Sequence, residues 1–408
     1  MKNSFENPFR PGAGHPPPYL AGRDKEKAEF EKLLQQPVIL ENLVLTGLRG
    51  VGKTVLLDSL KPVAIKNGWL WVGADISESV TISEKNLAIR LITDLSTLTS
   101  DFPVSRQEVN RIGFVPSTES IETKLDYRFL VKVFENTPGL VSDKLKSVLE
   151  LVWKHISRNY RIKGIVLAYD EAQNLSDQAA KDEHPLSILL DIFQSIQKSS
   201  LSFMLVLTGL PTLFPKLVAA RTYSERMFRV ITLSKLDENS SREAIKKPID
   251  ERRCPVKFTD HGVAQIIKLS DGYPYFIQFI CREAFDIIIQ KLESNSKPDF
   301  TFDGIIRKLD TDFFAGRWNR ITDRQRELLT VVSKLPNCDE EFTVRDIVEQ
   351  AKLSGQKPFS NSHVSQLLKQ LAELGLVYKT RFGNHSFAVP LLGQFINRLH
   401  REMSMLDL

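Results

Sequence analysis

A glycine-rich run that ends in lysine and threonine carries the clearest chemistry in the sequence. Gly47-Leu48-Arg49-Gly50-Val51-Gly52-Lys53-Thr54 fits the pattern G-x-x-x-x-G-K-[ST]. A short apolar strand, Leu43–Thr46, precedes the run and a predicted helix begins at about Lys53, which is the context that this pattern needs. Glycines let backbone N–H groups curl around an anion at the positive end of a helix dipole. The alternative is a glycine-rich turn between strand and helix that binds nothing.

The run predicts a nucleotide site, with the Lys53 ammonium on the β- and γ-phosphates and the Thr54 hydroxyl on Mg²⁺. The residues that we expect to contact the nucleotide here are Gly47, Gly50, Val51, Gly52, Lys53, Thr54 and Val55.

Two adjacent carboxylates follow a second apolar run. Ile165–Tyr169 is continuously apolar, as in a strand that is buried on both faces, and Asp170 and Glu171 come directly after it. Asp170 is the predicted second ligand of the metal, and Glu171 is the predicted general base that polarises the attacking water. In the plainer interpretation, Asp170 caps the next helix, which is compatible with the metal role.

Strand and helix patterns alternate over about 230 residues, which predicts an α/β fold with a parallel sheet flanked by helices. Strand patterns stop after Leu233, and the chain then has several helical stretches. Near the C-terminus, three helical stretches precede two short strands, Leu376–Lys379 and Ser386–Val389, an order typical of a winged helix. The predicted domains are an N-terminal arm (1–23), an α/β core (24–236), a helical lid (237–317) and a winged-helix domain (318–408).

Composition excludes several classes of protein. The chain has 408 residues, of which 42% are hydrophobic and 26% charged, and a net charge of +5. Such values describe a globular protein of two or three domains. Its three cysteines form neither a disulfide framework nor a metal cluster by spacing, and no apolar run approaches the ~18 residues of a membrane span. We therefore expect a cytoplasmic protein without a membrane partner.

The sequence resembles the AAA+ ATPases, in the branch that holds the replication-initiator (origin-recognition-like) ATPases and the related STAND ATPases of archaeal type. The resemblance covers nearly the whole chain. It is carried by the P-loop GLRGVGKT, the strand end Tyr169-Asp170-Glu171, the arm Pro18–Asp24, the segment Ser224–Arg229, the Gly272-Tyr273-Pro274 turn and the C-terminal winged helix. It implies a P-loop NTPase core, a helical lid and a winged-helix domain, with ATP and Mg²⁺ as ligands.

The resemblance also implies roles for residues outside the P-loop. Tyr19, Leu20 and Arg23 of the arm would lie near the adenine base. Thr208 would be sensor 1, although asparagine is commoner there and a simple turn start is an equal alternative. The turn that ends in Pro274 replaces the usual lid arginine, so Pro274 would pack near the base or the phosphates.

Arg226 resembles the arginine finger that reaches a neighbouring subunit's nucleotide. Arg221 and Arg229 are rival candidates, and an arginine held in a salt bridge at a helix end is the alternative.

Positive charge is concentrated at the C-terminal end. Between residues 351 and 401 the basic residues are Lys352, Lys357, Lys369, Lys379, Arg381, Arg398 and Arg401, against one acid, Glu373. Small polar residues of 360–366 begin the presumed recognition helix, and Lys379 and Arg381 fall on the wing. This pattern favours contact with duplex DNA, while a protein contact is the alternative.

Together these features predict an ATP-binding and slowly hydrolysing switch. Its nucleotide state would control assembly into a homo-oligomer and engagement of DNA by the winged helix. The alternative is a STAND-like signalling or antiviral-defence ATPase whose winged helix contacts a protein effector. A kinase that acts on a small substrate is a weaker alternative, because no acceptor pocket is evident in the sequence. The polar stretch 97–123 carries no recognisable motif.

Overall fold

The computed structural model describes residues 6–12, 14–111, 117–177, 180–250, 256–297, 300–354, 358–380 and 383–406. Contacts divide the chain into two units. The first contains Lys25–Thr46 and Leu56–Thr232, and the second contains the N-terminal arm, Gly47–Val55 and the chain from Leu233 onwards. Within the described ranges, every helix is too short or too polar to cross a membrane.

A five-stranded sheet lies at the centre of the first unit. The strands up to Leu233 are β1 (Asn42–Gly47), β2 (Trp69–Asp75), β3 (Pro103–Arg111), β4 (Ser117–Lys124), β5 (Gly164–Asp170), β6 (Phe203–Gly209) and β7 (Phe228–Leu233). The sheet has the order β2-β5-β6-β1-β7, and β2, β5, β6 and β1 pair in parallel. Every residue of β1, β5 and β6 is buried, so both faces of these strands are covered. The predicted parallel sheet is confirmed.

Helices connect these strands. Up to Leu233 they are α1 (Asp24–Leu34), α2 (Lys53–Lys66), α3 (Glu84–Thr99), α4 (Tyr127–Asn136), α5 (Val141–Asn159), α6 (Pro185–Lys198), α7 (Leu213–Ala220) and α8 (Ser224–Met227). The predicted alternation of strands and helices is present, and α2 begins at Lys53, where the sequence predicts a helix start. Parallel neighbours need a crossover connection, and the helices supply it.

The stretch 97–123 has regular structure that its sequence did not indicate. Helix α3 continues to Thr99, and β3 and β4 then form a separate antiparallel pair, with Gln107 opposite Ile121. The sequence showed this stretch only as polar and without a recognisable motif, and it did not predict the antiparallel pair. Its strands are rich in polar residues, so the alternation of apolar and polar residues by which strands are recognised is weak.

Helices dominate the second unit from Leu233 onwards. They are α9 (Glu238–Asp250), α10 (Asp260–Ser270), α11 (Pro274–Glu293), α12 (Phe302–Leu309), α13 (Gly316–Trp318), α14 (Asp323–Ser333), α15 (Val344–Leu353), α16 (Asn361–Glu373) and α17 (Leu392–Leu406). Strands β8 (Val377–Lys379) and β9 (His385–Phe387) form an antiparallel hairpin between α16 and α17. The predicted order of three helices and a hairpin is present, and α17 follows it.

One hydrophobic cluster runs through the described part of this unit, from α9 to α17. A π-helical segment, Asp310–Ala315, joins α12 to α13 and carries two of the linking contacts. The rings of Phe314 and Phe395 stack with centroids 5.0 Å apart, and Arg398 makes a bidentate ion pair with Asp310 at 2.9 and 2.5 Å. The predicted boundaries at 23/24, 236/237 and 317/318 stay predictions.

The N-terminal arm is ordered without being helical over residues 6–12 and 14–23, as its proline content predicts. The side chain of Asn7 donates hydrogen bonds to the Asp286 carboxylate (2.7 Å) and to the Arg282 carbonyl (3.0 Å) of α11. Phe9 is buried and packs against Phe258 and Phe285. The arm is therefore fixed along the helical region.

A buried amide network crosses the sheet of the first unit. Asn42, at the start of β1, is fully buried; its oxygen accepts hydrogen bonds from the Leu205 backbone and from Gln197, both at 2.8 Å. Its amide group donates to the Gln197 side chain (3.2 Å) and to the Met227 carbonyl (3.3 Å). One side chain thus links β1 to β6, α6 and α8.

We expect Asn42→Ala to lower the free energy of unfolding by about 2 kcal/mol, because buried donors of Gln197 and Leu205 lose their acceptor. Chemical denaturation followed by circular dichroism measures this. Asn159→Ala, which removes an exposed amide at the end of α5, is the control and should change stability by under ~0.5 kcal/mol. Equal effects of the two substitutions would contradict the role of the network.

Candidate functional site

The glycine-rich run forms a curled loop between β1 and α2. Gly50 and Gly52 have φ angles of +78° and +87°, in the left-handed region that favours glycine. At Gly47, a Cβ would lie only 2.6 Å from the Leu233 carbonyl oxygen, so a larger residue would not fit. A main chain of this shape directs N–H groups toward one point and can bind an anion. We call Gly47–Thr54 the phosphate loop.

The start of α2 is electrostatically suited to phosphate. Its first turn holds Lys53, Thr54 and Val55 and contains no acidic residue. The Lys53 ammonium donates hydrogen bonds to the carbonyls of Gly47 and Leu48, both at 3.0 Å. A helix N-terminus and one cation are therefore concentrated at the loop, and these residues fit the triphosphate that the sequence implies.

Arg23 supports the phosphate loop through hydrogen bonds to main-chain carbonyls. It is 4% exposed, and its guanidinium donates to the carbonyls of Val51 (3.0 Å) and Ser234 (2.8 Å). Val51 is itself buried. The sequence predicted that Arg23 would lie near an adenine base; the contacts described here are with main-chain oxygens of the loop and of the segment after β7.

The neighbouring arm residues make contacts of their own. The Tyr19 hydroxyl lies 2.6 Å from the Lys247 ammonium and donates to the Glu243 carboxylate at 3.1 Å. Lys247 also lies 4.1 Å from the centre of the Tyr19 ring. Leu20 is partly buried. The prediction that Tyr19, Leu20 and Arg23 contact a nucleotide stays a prediction.

The turn before α11 meets the phosphate loop. Gly272 has φ +73°, its carbonyl accepts a hydrogen bond from the Leu236 N–H (2.8 Å), and a Cβ there would lie 2.5 Å from the Leu236 oxygen. Pro274 occupies the first position of α11, where its missing N–H costs nothing. The next residue, Tyr275, donates its N–H to the Gly50 carbonyl at 3.1 Å. Sequence reasoning missed Tyr275, because no local pattern predicts this contact.

The phosphate loop also contacts the C-terminal region. One nitrogen of the Arg49 guanidinium lies 3.2 Å from the position that a Cβ would take on Gly375, in the turn between α16 and β8. Burial, together with the nearby charge of Arg49, lowers the pKa of Arg317, whose guanidinium stacks 4.4 Å from the centre of the Phe313 ring. The loop is therefore in contact with residues far along the chain.

In the first unit, the end of β5 holds the two predicted carboxylates. Asp170 is 5% exposed and accepts a hydrogen bond from the Glu171 N–H at 2.8 Å. Glu171 is exposed and has φ +51°, which is unusual for a residue with a side chain. Its carboxylate accepts a hydrogen bond from the side chain of Gln173, a residue that sequence reasoning missed. The sequence signal for Gln173 was its position two residues after Glu171, in Asp170-Glu171-Ala172-Gln173.

Thr208 is the last residue but one of the neighbouring strand, β6, and lies level with Asp170. Tyr169 of β5 is opposite Leu207 of β6, so the residues that follow them, Asp170 and Thr208, lie at the same edge of the sheet. The Thr208 hydroxyl is fully buried and has no hydrogen-bond partner in the described chain. A buried hydroxyl without a hydrogen-bond partner costs free energy of folding. Such a group would be unusual in a residue whose only role is to begin a turn.

The three arginines that were candidates for a finger differ in their contacts. Arg221 makes a bidentate ion pair with Asp191 (2.8 and 2.7 Å), and its hydrogen bond lowers the pKa of that carboxyl. Arg229 pairs with Glu29 at 3.0 Å. Arg226 is exposed, and its guanidinium has no ion pair or hydrogen bond among the described residues.

Comparison of the sequence with known families gives two matches. Residues 19–219 match the model described as an AAA ATPase domain. Residues 311–396 match the model described as a domain of unknown function. A relative, an uncharacterized HTH-type transcriptional regulator of Methanocaldococcus jannaschii, is 24% identical over 383 residues, which are 90% of this chain and 86% of the relative.

Solved structures with a similar fold include a Walker-type ATPase of Pyrococcus abyssi, with a TM-score of 0.56 and 15% identity. The similarity covers 93% of this chain and 96% of that one. The ORC2 protein of Aeropyrum pernix has a TM-score of 0.52 and 13% identity over 97% of this chain and 98% of its own. At such identities the comparison shows a shared fold over nearly the full length.

Proposed function

We propose that this chain, which has the P-loop AAA+ fold and carries an AAA ATPase domain in residues 19–219, binds and hydrolyses ATP as a conformational switch. The observation that carries the proposal is the phosphate loop, with two left-handed glycines, Lys53 and an acid-free helix start. Asp170 at the end of β5, Glu171 directly after it, and the buried Thr208 hydroxyl near the end of β6 support it.

In the proposed reaction the phosphate loop and Lys53 hold the phosphate chain. Water attacks the γ-phosphorus, Glu171 accepts the water proton, and the bond to the β–γ bridging oxygen breaks to give ADP and inorganic phosphate. Thr54 and Asp170 would hold Mg²⁺, which neutralises charge on the phosphate oxygens. The orphaned Thr208 hydroxyl would gain a partner in the γ-phosphate. Tyr19, Leu20 and Pro274 are the proposed contacts of the base side.

The proposed switch uses the neighbours of the phosphate loop. Tyr275 at the start of α11 and Gly375 in the C-terminal region both contact the loop. Since the loop must accommodate phosphates, we expect the bound nucleotide to favour one arrangement of these contacts. The continuous hydrophobic cluster and the Arg398–Asp310 ion pair would let the helices from α9 to α17 respond together.

Arg226 is our proposed arginine finger, acting on the nucleotide of a second copy of the chain. Its two rivals are held by carboxylates of their own chain, whereas Arg226 is exposed and without such a partner in the described residues. A free guanidinium can stabilise the charge that develops on the γ-phosphoryl oxygens. ATP-dependent self-assembly follows from this role.

The C-terminal region is our proposed DNA-binding part, a winged helix formed by α14–α16 and the β8–β9 hairpin. Residues Asn361, Ser362, Ser365, Gln366 and Lys369 of α16 are exposed and include no acid. Lys379 of β8 is also exposed. Arg398 forms an ion pair with Asp310, so we do not propose it as a DNA contact. Lys357 and Arg381 lie outside the described residues. The HTH-type relative agrees with this proposal.

Glu171→Gln should lower the turnover number for ATP about 10²- to 10⁴-fold and leave ATP affinity unchanged, because the amide cannot accept the water proton. Phosphate release and equilibrium binding measure the two quantities. Glu150→Gln, at an exposed position of α5, is the control. Unchanged turnover in Glu171→Gln would remove Glu171 as the base.

Addition of a non-hydrolysable ATP analogue should increase the mass measured by light scattering, and Arg226→Ala should abolish that increase. Arg229→Ala, three residues away and paired with Glu29, should still assemble. If the wild-type chain stays a monomer with the analogue, the trans role of Arg226 is wrong.

Duplex DNA should bind the full-length chain with an affinity that falls as salt rises. The double variant Lys369→Ala/Lys379→Ala should bind more weakly to every sequence, with a salt slope smaller by about 2, because two phosphate contacts are lost. Lys268→Ala on α10 is the control. A chain that ignores DNA at low salt would contradict the proposal and favour a protein partner.

A further inference from the structure

The amide of Gln173 connects the Glu171 carboxylate to the end of β6. The Gln173 side chain donates to Glu171 Oε2, and Gln173 Oε1 accepts a hydrogen bond from the Leu210 N–H at 3.1 Å. A backbone N–H can only donate, so the amide oxygen must face Leu210 and the amide nitrogen must face the carboxylate. The orientation of the amide group is therefore fixed by its partners.

Gln173 is itself held from several directions. The Lys216 ammonium donates to its main-chain carbonyl at 2.8 Å. A Cβ on Gly209 would lie 2.5 Å from Gln173 Oε1, so glycine at that position is what lets the side chain pass. The next residue, Asn174, donates to the Ile76 carbonyl at 2.9 Å. The side chain of Gln173 therefore extends toward Glu171 from a main chain that is held in place.

Glu171, in contrast, has little else to fix it. Its side chain is exposed, and in the described chain Gln173 is the partner of its carboxylate. An exposed glutamate without a partner samples many rotamers, and a base that is displaced by about 1 Å loses much of its efficiency. One oxygen is held by Gln173, and the other stays available to accept a proton.

We propose that Gln173 is a positioning residue for ATP hydrolysis, which aims the Glu171 carboxylate and couples it to the segment Thr208-Gly209-Leu210. This inference rests on the proposed role of Glu171 as the base. A shift of Thr208 on contact with a γ-phosphate would move Leu210, and the Gln173 amide would carry that shift to the carboxylate. The position of the Glu171 carboxylate would then depend on whether a γ-phosphate is bound.

Gln173→Glu tests the donor, because the substituted side chain keeps its size and its acceptor for Leu210 but cannot donate to Glu171. Gln173→Ala removes the bridge entirely. Both should lower the turnover number about 10- to 100-fold, while the Kd for ATP stays within about twofold. Lys198→Ala, at the exposed end of α6, is the control and should change turnover by less than about threefold. Thermal melts confirm that each variant is folded.

A double-mutant cycle separates positioning from a general structural effect. In a Glu171→Gln background, Gln173→Glu should cause no further loss, because Gln173 acts through the Glu171 carboxylate. Equal losses in both backgrounds, or full activity of Gln173→Glu in the wild-type background, would overturn the role of Gln173 and leave Glu171 as the base. If Glu171→Gln alone has no effect on turnover, the proposed base fails, and the role of Gln173 fails with it.

Discussion

A main chain that binds phosphate must hold its N–H groups in a curl that most residues avoid, and the rest of the second unit is arranged around this constraint. Gly50 and Gly52 accept left-handed backbone angles without a Cβ clash. The carbonyls of such a loop also need partners. Arg23 supplies one from the arm, and the N–H of Tyr275 supplies another from the start of α11. The arm and helix α11 are thus tied to the loop by hydrogen bonds rather than by proximity along the chain.

In the first unit, buried strands place polar groups where a reaction could use them. β5 and β6 are apolar and fully covered, yet they end at one edge in Asp170 and Thr208. Packing of the hydrophobic residues holds the two strands in place, and the strands in turn determine where the polar residues near their ends lie. The turn after β5 adds Glu171 in a left-handed conformation, with Gln173 bonded to its carboxylate. Polar groups held in this way keep their geometry without needing a polar interior.

Local patterns in the sequence were sufficient for the phosphate loop, the strand that ends in Asp170 and most of the helices, because glycine spacing and hydrophobic periodicity act over a few residues. Contacts between distant residues could not be predicted. The bond from Tyr275 to Gly50 joins residues 225 positions apart, and the partners of Arg221 and Arg229 lie 30 and 200 positions away. The hairpin of β3 and β4 was missed because its polar strands lack alternation.

Binding of labelled ATP to the purified chain, with and without Lys53→Ala, tests the central claim most directly. The account predicts that the wild-type chain retains ATP and that the substitution weakens binding about 100-fold, since charge-assisted hydrogen bonds to phosphate are lost. Lys66→Ala, at the exposed end of the same helix, should bind as the wild type does. A wild-type chain that retains no ATP, or a Lys53→Ala variant that retains it equally well, would contradict the account.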